Sequence, residues 1–272
     1  MKFVHLTDTH LNAPGRNNQF PNANHFEKVK QTFRHIRETG VNPEFVLITG
    51  DLVHEGDAED YSFVRSLFDE ASEQLKVPVY VLLGNHDHLP AFRQGYLGEL
   101  PAEEPYYYVQ DINGLRLICL NSQIPGQPGG QIDEVQLTWL ENQLQTPAPK
   151  GTIIALHHPL FDLGGSAAKG MLVDNRDQVA HVISGKDVIG IFAGHIHSNY
   201  SGTYQGIFHA AAAGTAFSAE VEEGMEHYQF LDTCGYNIIT ISEKGIAVKA
   251  VELPRSRAEY MRISVASFTP KA

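Results

Sequence analysis

Cysteine is scarce: Cys119 and Cys234 are the only two in 272 residues. That argues against a disulfide framework, and Cys119, inside the apolar run 115–120, reads as a core residue in a reducing compartment. Positive charge is short as well, with 20 Lys and Arg against 32 Asp and Glu and a formal net charge of −12. With no Lys/Arg-rich stripe, an acidic surface speaks against nucleic acid as the main partner. A small phosphorylated substrate stays open, because bound metal ions invert the local field. No apolar run is long enough to span a membrane. The apolar start, 1–6, is too short for a signal peptide and is followed by Asp8 and His10. There is no internal repeat, low-complexity tract or linker. The expectation is a cytoplasmic protein with residues 1–272 as a single domain, 243–272 forming a C-terminal hairpin and tail.

Histidine, by contrast, is abundant, at 14 residues. Six fall in short clusters: His5, His10, His157, His158, His195 and His197. Histidine is the commonest metal ligand, but only position can make that meaningful. The chain alternates apolar runs with amphipathic stretches. Strands are expected at 2–6, 45–49 and 77–83, separated by helices at 26–39 and 58–75, where apolar residues recur at helical spacing. This alternation points to an α/β sheet with parallel neighbours. Further on, 106–110 and 115–121 read as a hairpin turning at Asn113-Gly114. Helices are expected at 133–144 and 174–183, and strands at 152–156, 188–192, 207–213, 236–242 and 247–253. The last two strands turn at Glu243-Lys244-Gly245. A terminal strand at 260–268 offers an edge for pairing between subunits, so a homo-oligomer is possible. The Gly- and Ala-rich stretch 160–169 reads as a loop beside a site.

Five segments share one property: each sets a metal-capable side chain just past the end of an expected strand. They are Asp8-Thr9-His10, Gly50-Asp51, Gly84-Asn85-His86-Asp87, His157-His158 and Gly194-His195-Ile196-His197. The carboxyl ends of strands are where α/β sheets form sites. Each segment alone is compatible with an ordinary turn. Together they are hard to read that way, because clustered carboxylates and imidazoles cost free energy unless paired or metal-bound.

That order of motifs resembles the calcineurin-like metallophosphoesterase superfamily, from Asp8 to His197. Asp-Thr-His-Leu at the start and the Gly-His-Ile-His segment are similar to those of class III cyclic-nucleotide phosphodiesterases and related glycerophosphodiesterases. The resemblance implies a four-layer α/β/β/α sandwich of two mixed sheets. It implies a metal-dependent phosphoric diester hydrolase with two divalent transition-metal ions (Mn, Fe, Zn or Co). Asp8, His10 and His197 would hold one ion, Asn85, His157 and His195 the other, and Asp51 both. A metal-bridging hydroxide would attack phosphorus in line, and His86 would stand near the leaving group as the catalytic acid. Oxygen and nitrogen donors without thiolate suit such ions, and seven ligands for two ions leave room for water and substrate.

One position departs from the pattern. Many relatives read Gly-Asp-x-x-Asp, the second Asp pairing with the histidine equivalent to His86. Here the fifth residue is His54, which reads as a solvated loop histidine, and Glu55 or Asp87 would have to supply the carboxylate. Asn12 and His209 are candidate substrate contacts. Arg16, His158 and Asp162 are weaker ones, each better read as ordinary loop chemistry. The tyrosines at 106–108 read as strand packing. The expected substrate is a small phosphodiester of cyclic-nucleotide or glycerophosphodiester type. A phosphomonoesterase or nucleotidase, a nuclease and a non-catalytic scaffold are the alternatives. A scaffold should show gaps in the ligand set, and this chain shows none.

Overall fold

The apolar runs become short strands and the amphipathic stretches become helices laid over them. The computed structural model describes residues 1–16, 20, 23–161, 170–220 and 227–264. The first half runs β1 (Lys2–Leu6), α1 (His25–Thr39), β2 (Val46–Thr49), α2 (Ala58–Leu75), β3 (Val79–Leu82) and α3 (Leu89–Phe92). A π-helical turn, Arg93–Leu97, continues α3. Then follow β4 (Tyr108–Ile112), β5 (Leu115–Cys119), α4 (Glu134–Gln143), β6 (Thr152–Ala155), α5 (Arg176–Ile183) and β7 (Val188–Ala193). From there the elements among the described residues are all strands: β8 (Tyr200–Tyr204), β9 (Ile207–Ala211), β10 (Ser218–Glu220), β11 (His227–Leu231), β12 (Gly235–Ser242), β13 (Gly245–Glu252) and β14 (Glu259–Ser264).

Local chemistry sets the helix ends. The Asn24 side chain caps α1 by accepting from Glu27 N, and Gly40 closes it in the left-handed conformation. Asp57 and Asp60 form a reciprocal capping box at the start of α2.

Two mixed sheets result, ordered β13-β12-β1-β2-β3 and β4-β5-β6-β7-β9-β8. Within them β1, β2 and β3 run parallel, as do β5, β6, β7 and β9. The sheets face one another through Phe3, Phe45, Leu47 and Leu82 on one side and Leu117, Ile153 and Phe192 on the other. Helices α1 and α2 cover the outer face of the first sheet through Val29, Phe33, Ile36, Val64 and Phe68. Helices α4 and α5 cover the second through Leu137, Leu140, Val179 and Ile183. With both faces covered, β2 and β6 are buried along their whole length, which is why their sequences are continuous apolar runs rather than alternating ones. This is the α/β/β/α sandwich that the motif order implied.

The expected elements shift by a few residues. The hairpin β4–β5 pairs Ile112 with Leu115 and turns through Asn113 and Gly114, both at positive φ, as an Asn-Gly turn requires. The next hairpin pairs Ser242 with Gly245, so Gly245 begins β13 instead of lying in the turn. The strand expected at 106–110 begins two residues later, because Tyr106 packs against Phe92. The terminal strand is observed as β14, and 265–268 lie outside the described residues, as does 162–169 of the expected loop. Three strands were not anticipated: β8, β10 and β11. The first is a polar edge strand, Tyr-Ser-Gly-Thr-Tyr, and β10 is three residues long, too short for a period to register. β10, β11 and β14 form a separate sheet beside the carboxyl ends of the main strands.

Candidate metal centre

The loops that leave β1, β2, β3, β6 and β7 all emerge at the same edge of the sandwich, because those strands are parallel within each sheet and the sheets are stacked. These turns are sharp. Asp8, His10, Asp51, His195 and His197 all have φ between 42° and 71°, a left-handed region that non-glycine residues rarely occupy and that concentrates at functional sites. Glycine is required beside them. Gly50 has φ 92°, and a Cβ there would lie 2.6 Å from His157 Nδ1.

Two clusters of donor atoms result. Asp8, His10, Asp51 and His197 bring one ligand atom each within 4.8 Å of one another, and so do His157, His158 and His195. Asp51 joins the two groups: its Oδ2 lies 3.6 Å from His10 Nε2 and 3.4 Å from His157 Nε2. Asn85 belongs to the second group, with Oδ1 3.1 Å from His157 Nε2. In the first, His197 Nε2 stands 3.2 Å from Asp8 Oδ1 and 3.3 Å from His10 Nε2. All seven residues expected to hold metals therefore converge on one edge, as do His86 and His158.

The surroundings orient these donors inward. His157 Nδ1 donates to Thr49 O at 2.7 Å and His197 Nδ1 to Phe217 O at 3.1 Å, which leaves each Nε2 lone pair facing the centre. Asp8 Oδ2 accepts from Thr7 Oγ1 and from His195 N, while its buried Oδ1 makes no hydrogen bond and faces only the His197 and His10 imidazoles. His195 Nε2 is buried and unpartnered too. Buried polar atoms without partners are costly, and a cation satisfies both. Burial and neighbouring imidazoles push His10 and His195 well below the ordinary histidine range, so they stay neutral and able to ligate. Burial opposes the ionised form of Asp51, but His157 beside it outweighs this and holds the carboxyl well below its usual range. Burial would lower His157, but Asp51, Asp8 and the Thr49 carbonyl together outweigh it and raise His157 to about 9, so without a cation its Nε2 holds a proton in the place a metal would take. Orphaned oxygen and nitrogen, inward lone pairs and a shared carboxylate fit divalent cations.

A cleft of about 390 Å³ opens over the centre. His10, Asp51, Asn85, His86, His195 and His197 line its floor, and Met171, Phe217, Tyr228, Phe230 and Ile263 form an apolar wall. His86 is partly exposed, with Nδ1 3.5 Å from Glu55 Oε1. Asp87 is no partner for it. That carboxylate turns inward and accepts from Leu52 N, Val53 N, Gly84 N and Tyr61 Oη, tying the Gly-Asp and Gly-Asn loops together. Burial, with Asp51 nearby, raises it to about 7.

Other residues are placed differently from expectation. His54 is not a solvated loop histidine: it is half-buried, with Nδ1 3.3 Å from His10 Nδ1 and its ring 4.6 Å from that of His86. Asn12 Nδ2 donates to His54 O, away from the cleft lining. Arg16 is held by Asp57, Glu59 and Asp60 at the start of α2. His158 is buried, its Nδ1 2.8 Å from Ser122 Oγ. His209 is fully buried on β9, packed edge-on against Phe161 and outside the cleft lining, and burial lowers it to about 3. Asp162 lies outside the described residues. Of the three tyrosines only Tyr108 lies in a strand, its Oη donating to Val81 O, while Tyr106 and Tyr107 precede it and pack against Phe92 and Trp139.

Two contributors carried no sequence signal. The Phe217 ring lies nearly parallel to His197 at 4.3 Å and to His10 at 5.1 Å, while its carbonyl fixes the His197 tautomer. Lys28 of α1 is buried, paired with Asp232 at 2.8 Å and donating to Ala216 O, Thr233 O and Tyr260 Oη. It pins the loop before Phe217 and the small sheet to the main body. Only its place in the stripe His25, Lys28, Val29, Thr32 hinted at burial.

Comparisons with known proteins agree with this geometry. Residues 1–199 match the family model of the calcineurin-like phosphoesterases. A probable cyclic nucleotide phosphodiesterase of Rhodococcus erythropolis is 34% identical over 92% of this chain and 83% of its own. A probable glycerophosphodiester phosphodiesterase of Arcobacter nitrofigilis is 28% identical over 72% of each chain. In fold, the purple acid phosphatase of yellow lupin seeds superimposes with a TM-score of 0.58 at 17% identity, over 93% of this chain and 51% of that one.

Proposed function

The chain belongs to the calcineurin-like phosphoesterase family, and from that premise we propose that it hydrolyses a small phosphodiester, of cyclic-nucleotide or glycerophosphodiester type, with two divalent cations. The observation that carries the reading is the shared Asp51 carboxylate, placed between His10 and His157 at 3.6 and 3.4 Å. Asp8, His10, Asp51 and His197 would hold one cation, and Asp51, Asn85, His157 and His195 the other. When bound, two such ions polarise a phosphoryl oxygen and acidify a shared water.

The chain's own residues supply the rest. His86 lines the cleft and faces Glu55 through Nδ1, so Nε2 is the atom left to give a proton to the departing alkoxide. That proton matters because an alkoxide leaves poorly, and a general acid typically contributes ~10²–10⁴-fold. The apolar wall excludes water from one side of the phosphate and packs against the organic group. Two buried thiols, Cys119 and Cys234, remain unpaired, which supports work in the reducing cytoplasm.

The test strips the protein of metal and restores Mn, Zn, Co or Fe. Cyclic AMP, cyclic GMP, a glycerophosphodiester and bis-p-nitrophenyl phosphate are then compared with the monoester p-nitrophenyl phosphate. The expected result is no turnover without metal, recovery with about two equivalents, and faster cleavage of diesters. A preference for the monoester would replace the reading with a phosphomonoesterase. Less than one bound equivalent and no turnover would reduce the chain to a scaffold.

A further inference from the structure

The three imidazoles with well-defined outward nitrogens are supported in two ways. His157 and His197 each spend Nδ1 on a main-chain carbonyl, Thr49 O and Phe217 O. His10 does not. Its Nε2 faces Asp51, Asp8 and His197 at 3.6, 3.9 and 3.3 Å, so Nδ1 is its outward atom. That atom meets the side chain of His54, Nδ1 to Nδ1, at 3.3 Å.

We propose that His54 is a positioning residue for His10, accepting the His10 Nδ1 proton and thereby tuning the affinity of the Asp8–His10–Asp51–His197 cluster for its cation. This rests on reading that cluster as a cation site. Two nitrogens in contact need one proton between them. For His10 to turn a lone pair inward through Nε2, the proton must sit on Nδ1, and His54 must be the acceptor with its own proton on Nε2. His54 is held for this role from two sides. Its ring packs against His86 at 4.6 Å, and its carbonyl accepts from Asn12 Nδ2 at 3.3 Å. The partner is neutral where a carboxylate would be charged, so it orients His10 without adding negative charge to the centre. Outer partners of this kind typically govern ~10–100-fold in metal affinity.

The test separates the acceptor from the shape. His54→Phe keeps a ring against His86 but has no acceptor. His54→Asn loses the ring but places an amide oxygen near the former Nδ1. Zn and Mn binding to the metal-free full chain is titrated calorimetrically, so no activity enters the readout. Phe should weaken one of two equivalents by ~10–100-fold and leave the other unchanged, while Asn should bind within a few-fold of wild type. Unchanged binding in His54→Phe, or Asn as weak as Phe, would overturn the proposal. A wild-type chain that binds no cation would sink the metal-centre reading itself, a distinguishable failure.

Discussion

The edge that carries the donor side chains and the small sheet that walls it are built on different principles. Four of the five donor loops grow from internal strands of the two sheets, β1, β2, β6 and β7, and the fifth from the edge strand β3, so backbone contacts of the sandwich fix their position. Asp8 N donates to Gly50 O and Gly194 N to His157 O, lacing these loops to one another. The small sheet β10-β11-β14 is a satellite. It is joined to the main body by Lys28, by the Phe217 ring, by an aromatic cluster around Phe20 and Tyr260, by Ala219 and Tyr228 packed with Ala193, Ile196 and Ala211, and by Ala219 N donating to His197 O. The donor side chains are thus placed by the two main sheets, while the wall of the cleft is placed by side-chain contacts between the small sheet and the main body. Such an arrangement lets the outer wall at Phe230 and Ile263 vary without disturbing the ligands, whereas Phe217 is tied to His10 and His197.

That division can be broken most severely at its centre. Asp51→Ala removes the one carboxylate shared by both clusters and should abolish turnover and lower bound metal, measured by elemental analysis and diester hydrolysis. Residual activity within tenfold of wild type would contradict the shared role. Next in size, His86→Ala should slow diester cleavage by ~10²–10⁴-fold while metal content stays unchanged. A parallel loss of metal would make His86 structural instead.

On the other side of the comparison, Lys28→Met keeps the buried stem and deletes the cation, leaving Asp232 with the hydroxyls of Ser256 and Tyr260 but without its ammonium partner. Removing one partner of a buried pair typically costs about 3–5 kcal/mol, and partial exposure of Asp232 puts the expectation nearer ~3 kcal/mol in urea unfolding at neutral pH. The acid dependence has a definite sign. Burial would raise the Asp232 carboxyl, but Lys28, Ser256 and Tyr260 outweigh it and hold it below the usual carboxylate range. The pair's stabilisation is therefore complete above the unfolded carboxylate pKa of about 4 and is lost as pH falls further. The stability gap between wild type and Lys28→Met should narrow below about pH 4. The smallest effect belongs to the wall itself. Phe230→Ala should raise KM for bis-p-nitrophenyl phosphate a few-fold and leave kcat and metal content alone. A fall in metal content would show that wall and ligands are not separable.

Much of the donor edge was legible before any coordinates. Asp8, His10, Asp51, Asn85, His157, His195 and His197 each sit at a strand end, and strand ends are local events that apolar runs and turn residues reveal. The same holds for the capped helices and the Asn113-Gly114 turn. His54, Phe217 and Lys28 were opaque for a shared reason: their meaning lies in what they touch 44, 20 and 188 residues away. The sequence could show a histidine where relatives carry Asp, but not that it would turn toward His10. Asp87 looked like a partner for His86 until its backbone donors turned it inward.

By itself, the sequence determined the alternation of strands and helices and the residue types that gather at strand ends, because hydrophobic period and residue type are properties of short stretches, while the four-layer sandwich came from the resemblance of the motif order to a known family. Tertiary structure alone decided which nitrogen of each imidazole faces inward, that His54 meets His10 and what walls the cleft. Those depend on distances of a few ångströms between segments far apart in the chain, and only packing sets such distances.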